Sequence, residues 1–337
     1  MRTRVVYGLS GPTLLAEERS FFTEAQPFGF IVFARNIVDR TQVRRLTDSL
    51  RDAMGDANVP ILIDQEGGRV ARMKPPQWRA APAAARFGAL AATSVERARE
   101  ATYLNARLVA YDLCEAGINV NCVPVLDVPV EGADSVIGER AFARDPLTVI
   151  ELGRVAIDGY LDGGVLPVMK HAPGHGRATA DSHKLLPRVG ASREELSATD
   201  FVTFRSLNHC PMAMTGHVVF EAIDPQRPAT TSPKVVRDVI RGEIGFEGLL
   251  FTDDLSMEAL AGSLAARAKA AQFAGCDIVV HCTGKLEEMR EVAGEIKPLD
   301  DVHRHRADAA LKHLEPPEDF DAARGVVRLS ELLGETA

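Results

Sequence analysis

Eight short runs of β-branched or apolar residues recur along the chain, at positions 5–9, 29–34, 60–64, 118–127, 165–170, 211–217, 248–254 and 276–281. Between most of them lie segments with helical periodicity or a helix start signal. Residues 16–25 follow the first run and 42–54 the second. Residues 93–116 open with a capping box, Thr93 with Glu96. Residues 146–162 open with Asp145 as cap and Pro146 at the first helical position. Residues 192–207 carry a second box, Ser192 with Glu195, and 233–244 follow Ser232 in a cap-then-proline arrangement. Residues 261–274 precede the last run. Strands alternating with helices call for a parallel sheet. Near-continuous apolar strands mean that both faces of that sheet are covered. Eight such units predict an α/β fold closed as a (β/α)8 (TIM) barrel rather than an open doubly wound sheet. Residues 301–333, interrupted at Pro316-Pro317, add further helix. No linker, repeat or low-complexity segment divides the chain, so one domain over residues 1–337 is expected.

Composition narrows the function classes. A chain of 337 residues that is 46% hydrophobic buries a large core and is not disordered. With net charge −8, no basic run and 6% aromatics, it offers no nucleic-acid surface. The five cysteines are odd in number and show no C-x-x-C spacing, which suits free thiols in a reducing cytoplasm. The apolar stretch after Met1-Arg2-Thr3-Arg4 is too short for a signal-peptide core, and no stretch reaches membrane-spanning length. A cytoplasmic protein with neither nucleic-acid nor membrane partner is the expectation.

In a barrel of this kind the chemistry lies at the carboxyl ends of the strands. There the chain places Asp64, Asp127, Lys170-His171, His217, Asp253-Asp254 and His281. Each alone reads equally as a solvated strand end or a helix cap, and Asp254 or Ser256 suits the cap of a helix starting near 256. Their placement on one rim favours a site. Asp253 is nearer its strand and better placed to face the mouth, where a carboxylate acts as nucleophile or base.

The densest stretch is Lys170-His171-Ala172-Pro173-Gly174-His175-Gly176, followed by Ala180-Asp181-Ser182-His183. His171, His175 and His183 with Asp181 also read as a zinc site with H-x3-H spacing, but ligands at i and i+4 need a helix, which Pro173 and the two glycines prevent. No metal and no cofactor are therefore expected. Asp181 and His183 flank one serine, so a turn can pair carboxylate with imidazole; that raises the imidazole pKa and suits a general acid. The glycines of Gly67-Gly68 and of the 173–176 segment read as tight turns that let backbone approach a ligand.

Together with Val136-Ile137-Gly138-Glu139-Arg140-Ala141-Phe142, the motifs Asp64-Gln65-Glu66-Gly67-Gly68-Arg69-Val70, the 170–183 stretch and Phe251-Thr252-Asp253-Asp254-Leu255-Ser256-Met257 resemble glycoside hydrolase family 3. Asp181-Ser182-His183 narrows the resemblance to the bacterial β-N-acetylhexosaminidase branch. It runs from about Gly29 to Cys282, with the motifs in family order. It implies a retaining exo-hydrolase on a barrel, with Asp253 as nucleophile, His183 as acid/base and Asp181 as its partner. Asp64, Arg72, Arg140, Lys170 and His171 match positions that hold the sugar; His217 and Asp127 are placed in the pocket as further rim residues. The branch implies removal of N-acetylglucosamine from anhydro-muropeptides (GlcNAc-anhydroMurNAc-peptide) in peptidoglycan recycling. Two other enzyme readings use the same scaffold: a β-N-acetylglucosaminide phosphorylase, since a histidine acid/base does not repel phosphate, and a β-glucosidase. A sugar-binding barrel without activity is the non-enzymatic alternative.

Overall fold

A computed structural model describes residues 2–180, 182 and 185–335. Eight parallel strands close a barrel: β1 Thr3–Gly8, β2 Pro27–Val32, β3 Ile61–Ile63, β4 Val120–Asn121, β5 Leu166–Ala172, β6 Met212–Thr215, β7 Leu249–Asp254 and β8 Ile278–His281. Closure is made by β1, which pairs with β2 on one side and with β8 on the other, Val5 opposite Val279. Every apolar run expected as a strand supplies one, although β3 and β4 are shorter than their runs.

Alternate side chains point inward. Leu62, Leu166, Val168, Met212, Met214, Leu249, Phe251, Ile278 and Val280 pack into one interior cluster. The side chains of opposite parity pack against the outer helices. The helix α2 (Arg40–Met54) shows how the outer ring is attached. Asp39 accepts from the Gln42 amide at 2.7 Å, and Val43, Leu46, Leu50 and Met54 form one buried stripe. Gly55, at φ 59°, ends the helix in a left-handed turn.

The remaining helices are α1 Ala16–Ala25, α3 Ala84–Ala91, α4 Val95–Glu115, α5 Pro146–Asp162, α6 Arg193–Ser206, α7 Leu264–Ala274, α8 Leu286–Ala293, α9 Asp301–Leu311 and α10 Ala322–Leu333. Ser192 with Glu195 and Asp145 with Pro146 start α6 and α5 as expected. The cap of α4 differs: Ser94, not Thr93, accepts from the Arg97 amide, while the Thr93 hydroxyl turns back to the Leu90 carbonyl. No helix starts near Ser256; that segment is a turn, and α7 begins at Leu264 under a Ser263 cap. The segment after Ser232 winds more widely than an α-helix, as a π-helix over Val235–Glu243. Among the described residues, no helix is long and apolar enough to cross a membrane.

At the amino end of the barrel, Asp277 is fully buried just before β8. Its Oδ2 accepts from Arg241 at 2.6 Å and from the Leu250 amide at 2.8 Å, and its Oδ1 from Arg306 on α9 at 3.0 Å. This carboxylate ties α9 beneath the barrel floor. Asp277→Ala leaves two guanidinium groups unpaired, and the expected loss is roughly 3 kcal/mol of stability. The cluster lies opposite the strand ends that carry the site, so KM of the folded protein should not change. Urea unfolding at the wild-type midpoint would remove Asp277 from this role.

Candidate active site

The inward parity of the strands decides which side chains reach the mouth. Two residues past Leu62, Val168, Phe251 and Val280 stand Asp64, Lys170, Asp253 and Cys282, and all four line a cavity of about 240 Å³ at the carboxyl ends. Register shifts in β5 near Lys170 and in β7 between Phe251 and Asp254 bring His171 and Asp254 into the lining as well. The cavity is small beside common ligand pockets of ~300–1,000 Å³, a size suited to one ring. Its remaining wall is largely apolar, from Ile31, Phe33, Met214, Met257 and Val280.

One side holds a chain of alternating charges. Asp64 accepts from Arg72 at 3.0 Å and from Lys170 at 2.8 Å. Lys170 also meets Glu66 at 2.6 Å, and Glu66 takes Nε and Nη2 of Arg140, each at 2.8 Å. Burial pushes the Asp64 and Glu66 carboxyls up, yet the adjoining cations outweigh it and hold both below the usual carboxylate range. Burial likewise opposes the charge on Lys170, which Asp64 and Glu66 nevertheless raise above its ordinary value.

Arg140 Nη2 also reaches His171 Nε2, at 3.3 Å. A guanidinium only donates, so Nε2 accepts and Nδ1 carries the proton, directed at Asp127 Oδ2 2.7 Å away. Asp127 also accepts from the His171 and His175 amides, at 3.2 and 2.7 Å. Asp127 and His217 are fully buried and do not line the cavity. Both were placed in the pocket from the sequence; instead they sit behind its wall. His217 donates from Nε2 to the Asp254 carbonyl at 2.9 Å and accepts at Nδ1 from Thr230 at 2.7 Å. His175 does line the cavity, and burial with the neighbouring His171 pushes it down to about 4, so its ring is neutral.

Asp253 is half-buried at the end of β7, in the mouth and not in the interior. Burial pushes its carboxyl up. The imidazoles of His217 and His171, the Asp254 amide donating at 2.8 Å and the Lys170 ammonium outweigh that and hold it below the usual carboxylate range. An anionic carboxylate facing a one-ring cavity can attack an electrophilic carbon held there. The Asp254 carboxylate is turned away, onto the hydroxyl and amide of Ser256 and the amide of Cys282.

The glycines serve a purpose different from the expected one. A Cβ on Gly67, at φ +103°, would lie 2.2 Å from the Pro82 carbonyl oxygen, and one on Gly176 2.1 Å from that of Val128. These turns pack closely against other protein segments. Arg177, given no role from the sequence, donates to Asp200 at 2.7 Å and Thr199 at 2.8 Å, which pins the start of the loop after β5 to α6. A short parallel pair, Arg188–Val189 with Val219–Phe220, pins its far end. Asp181 and His183 lie outside the described residues. Ser182 between them lines the cavity, and its Oγ is 3.3 Å from His175 Nε2.

Of the positions matched to sugar binding, Asp64, Arg72, Arg140, Lys170 and His171 all line this cavity with Asp253. Glu66, Ser182 and Cys282 join them without having been assigned to the site, as does His175, weighed from the sequence only for the rejected zinc spacing. Glu66 carried a readable signal, since it stands two residues beyond Asp64.

Comparison with known proteins agrees with this geometry. Residues 9–315 match the Glycosyl hydrolase family 3 N terminal domain. A β-hexosaminidase of Alkalilimnicola ehrlichii is 38% identical over 329 residues, 96% of this chain and 88% of that protein. Native NagZ from Neisseria gonorrhoeae superposes with a TM-score of 0.86 at 30% identity, over 99% of this chain and 97% of that one. The same values hold for that NagZ in complex with N-trifluoroacetyl-D-glucosamine. Barrel, cavity and sequence together place the chain in glycoside hydrolase family 3, and it belongs to that family of glycoside hydrolases.

Proposed function

We propose that the protein is a retaining β-N-acetylglucosaminidase that removes a terminal, non-reducing N-acetylglucosamine through a glycosyl-Asp253 intermediate. The observation that carries this is the Asp253 carboxylate in a one-ring cavity that it lines together with Asp64, Lys170, Arg72, Arg140 and His171. The relatives, named β-hexosaminidase and NagZ, support the same class of substrate. A NagZ that binds N-trifluoroacetyl-D-glucosamine supports a 2-acylamido sugar.

In the first step Asp253 attacks the anomeric carbon as the bond to the leaving oxygen breaks. The His183 imidazolium, paired with Asp181, gives that oxygen its proton. Neutral His183 then takes a proton from water, the water oxygen bonds the anomeric carbon, and the ester to Asp253 breaks. The cations and carboxylates of the polar wall fix the ring's hydroxyls, a positioning effect. No cofactor enters either step. The natural substrate we infer is the anhydro-muropeptide of peptidoglycan recycling, met in the cytoplasm by one catalytic domain over 1–337. Support for this is the Asp181-Ser182-His183 element and the branch it marks.

Aryl β-glycosides with and without the 2-acetamido group test the substrate. Chromophore is expected from the acetamido sugar at a much higher rate than from the glucoside, and equal rates would overturn the assignment. Asp253→Ala is expected to lower kcat by at least ~10³-fold, with substrate binding retained in calorimetry; a variant within tenfold of wild type would remove Asp253 as nucleophile. The nucleophile works deprotonated, so activity is lost as pH falls through its lowered pKa. The acid limb of kcat/KM is therefore expected below pH ~3.9, and a limb centred above 5 would contradict the assignment. His183→Ala is expected to spare aryl substrates with good leaving groups far more than alkyl ones, because only poor leaving groups need the proton. Equal losses on both would count against His183 as the acid.

A further inference from the structure

Glu66 is the carboxylate on which the two innermost cations of the cavity converge. Its side chain is 5% exposed and that of Lys170 3%. Oε1 meets Lys170 at 2.6 Å and Arg140 Nη2 at 2.8 Å, and Oε2 meets Arg140 Nε at 2.8 Å. Three of the roughly four acceptor positions of a carboxylate are thus taken by cations, which leaves Glu66 little to offer a ligand. The cations keep donors in reserve. Among the described residues, Lys170 spends one N–H on Asp64 and one on Glu66, and holds a third. Arg140 gives Nε and Nη2 to Glu66, Nη2 also to His171 and one Nη1 proton to the Val136 carbonyl, which leaves one Nη1 proton without an acceptor among the described residues. Without Glu66 the two like charges would face each other in a buried setting and would not hold these directions.

The same residue sets the charge of the cavity. The cations Lys170, Arg140 and Arg72 face four carboxylates in the lining, Asp64, Glu66, Asp253 and Asp254. Asp254 is turned onto the neutral donors of Ser256 and the Cys282 amide, whereas Glu66 pairs with Arg140 and shares Lys170 with Asp64. Removing Glu66 raises the charge of the lining by one and leaves Arg140 without its carboxylate partner, and an unpaired cation in a low-dielectric pocket favours an anion.

We propose that Glu66 is the positioning and specificity-determining residue that makes this cavity a site for an uncharged sugar and closes it to anionic ones, such as sugar phosphates, uronates or free phosphate. The proposal rests on reading the cavity as a sugar site. Glu66 acts through Lys170 and Arg140, orienting their spare donors and balancing their charge.

The test uses Glu66→Gln, which keeps the volume and removes the charge, and Glu66→Asp, which keeps the charge and withdraws the carboxylate. Both are assayed on an aryl β-N-acetylglucosaminide with inorganic phosphate as competitor, and folding is checked by near-UV dichroism. Glu66→Gln is expected to raise KM by at least ~10-fold, with kcat within about threefold, and to tighten phosphate inhibition by at least ~10-fold. Glu66→Asp is expected to raise KM while phosphate inhibits no better than in wild type. A Glu66→Gln protein with unchanged KM, or with raised KM but no gain in phosphate inhibition, would overturn the proposal. So would a Glu66→Asp protein that becomes phosphate-sensitive, which decides the matter should Glu66→Gln fail to fold. If wild type releases no chromophore, the functional reading fails by itself; thermal shift of wild type and variants with inorganic phosphate then still tests Glu66.

Discussion

Closure of eight parallel strands is the constraint from which everything else in this molecule follows. Once β1 pairs with both β2 and β8, alternate side chains have nowhere to go but a filled interior. The last inward position of each strand then stands at a common mouth, whatever residue occupies it. Asp64, Lys170 and Asp253 reach one cavity because they lie two residues beyond Leu62, Val168 and Phe251, and not because they are near each other in sequence. The two register shifts, in β5 and β7, break this alternation and bring consecutive residues to the lining, Lys170 with His171 and Asp253 with Asp254.

Burying so many charges is costly unless each is paired. The mouth meets that cost with an unbroken series, Arg72, Asp64, Lys170, Glu66, Arg140, His171 and Asp127, in which donors and acceptors alternate. Each carboxylate is kept ionised by its neighbours, so the wall presents fixed dipoles and spare donors before any ligand arrives. Preorganisation of this kind is worth more in a dry cavity than in water. The series also explains why His171 is held in one tautomer: Arg140 takes Nε2 and Asp127 takes Nδ1.

Much of this was legible in the sequence, and what was not has physical reasons. The eight strands announced themselves because a strand covered on both faces must be apolar throughout, and the boxes at Ser192 and the Asp145-Pro146 start are chemical signals local to the chain. The helices α3 and α8 were not legible. Both are eight residues long without a side-chain cap bond, and packing rather than local chemistry secures them. Thr93 and Ser94 are equally good caps on paper, and only the path of the chain out of α3 decides between them. Asp127 and His217 show the limit for site residues. A polar side chain after an apolar run reads as solvent-facing, yet these two find partners beneath the wall, the His171 ring for one and the Asp254 carbonyl for the other. The need for a buried partner is non-local, and a single sequence does not display it.

Comparing the two ends of the barrel separates stability from function. At the closed end Asp277 collects Arg241, Arg306 and the Leu250 amide, and helix α9 covers the result. At the open end Glu66 collects Lys170 and Arg140 in much the same way, but there the cluster lines a cavity. The chemistry of the two clusters is alike; the difference is what each leaves unsatisfied. The Asp277 cluster fastens a helix. Among the described residues, the Glu66 cluster keeps an ammonium proton and a guanidinium proton without a protein acceptor, directed by a carboxylate that is itself nearly saturated. Unfilled donors on rigid, charge-balanced supports are what a neutral, hydroxyl-rich ring requires, and a barrel supplies them only at the end where its strands stop and its helices have not yet begun.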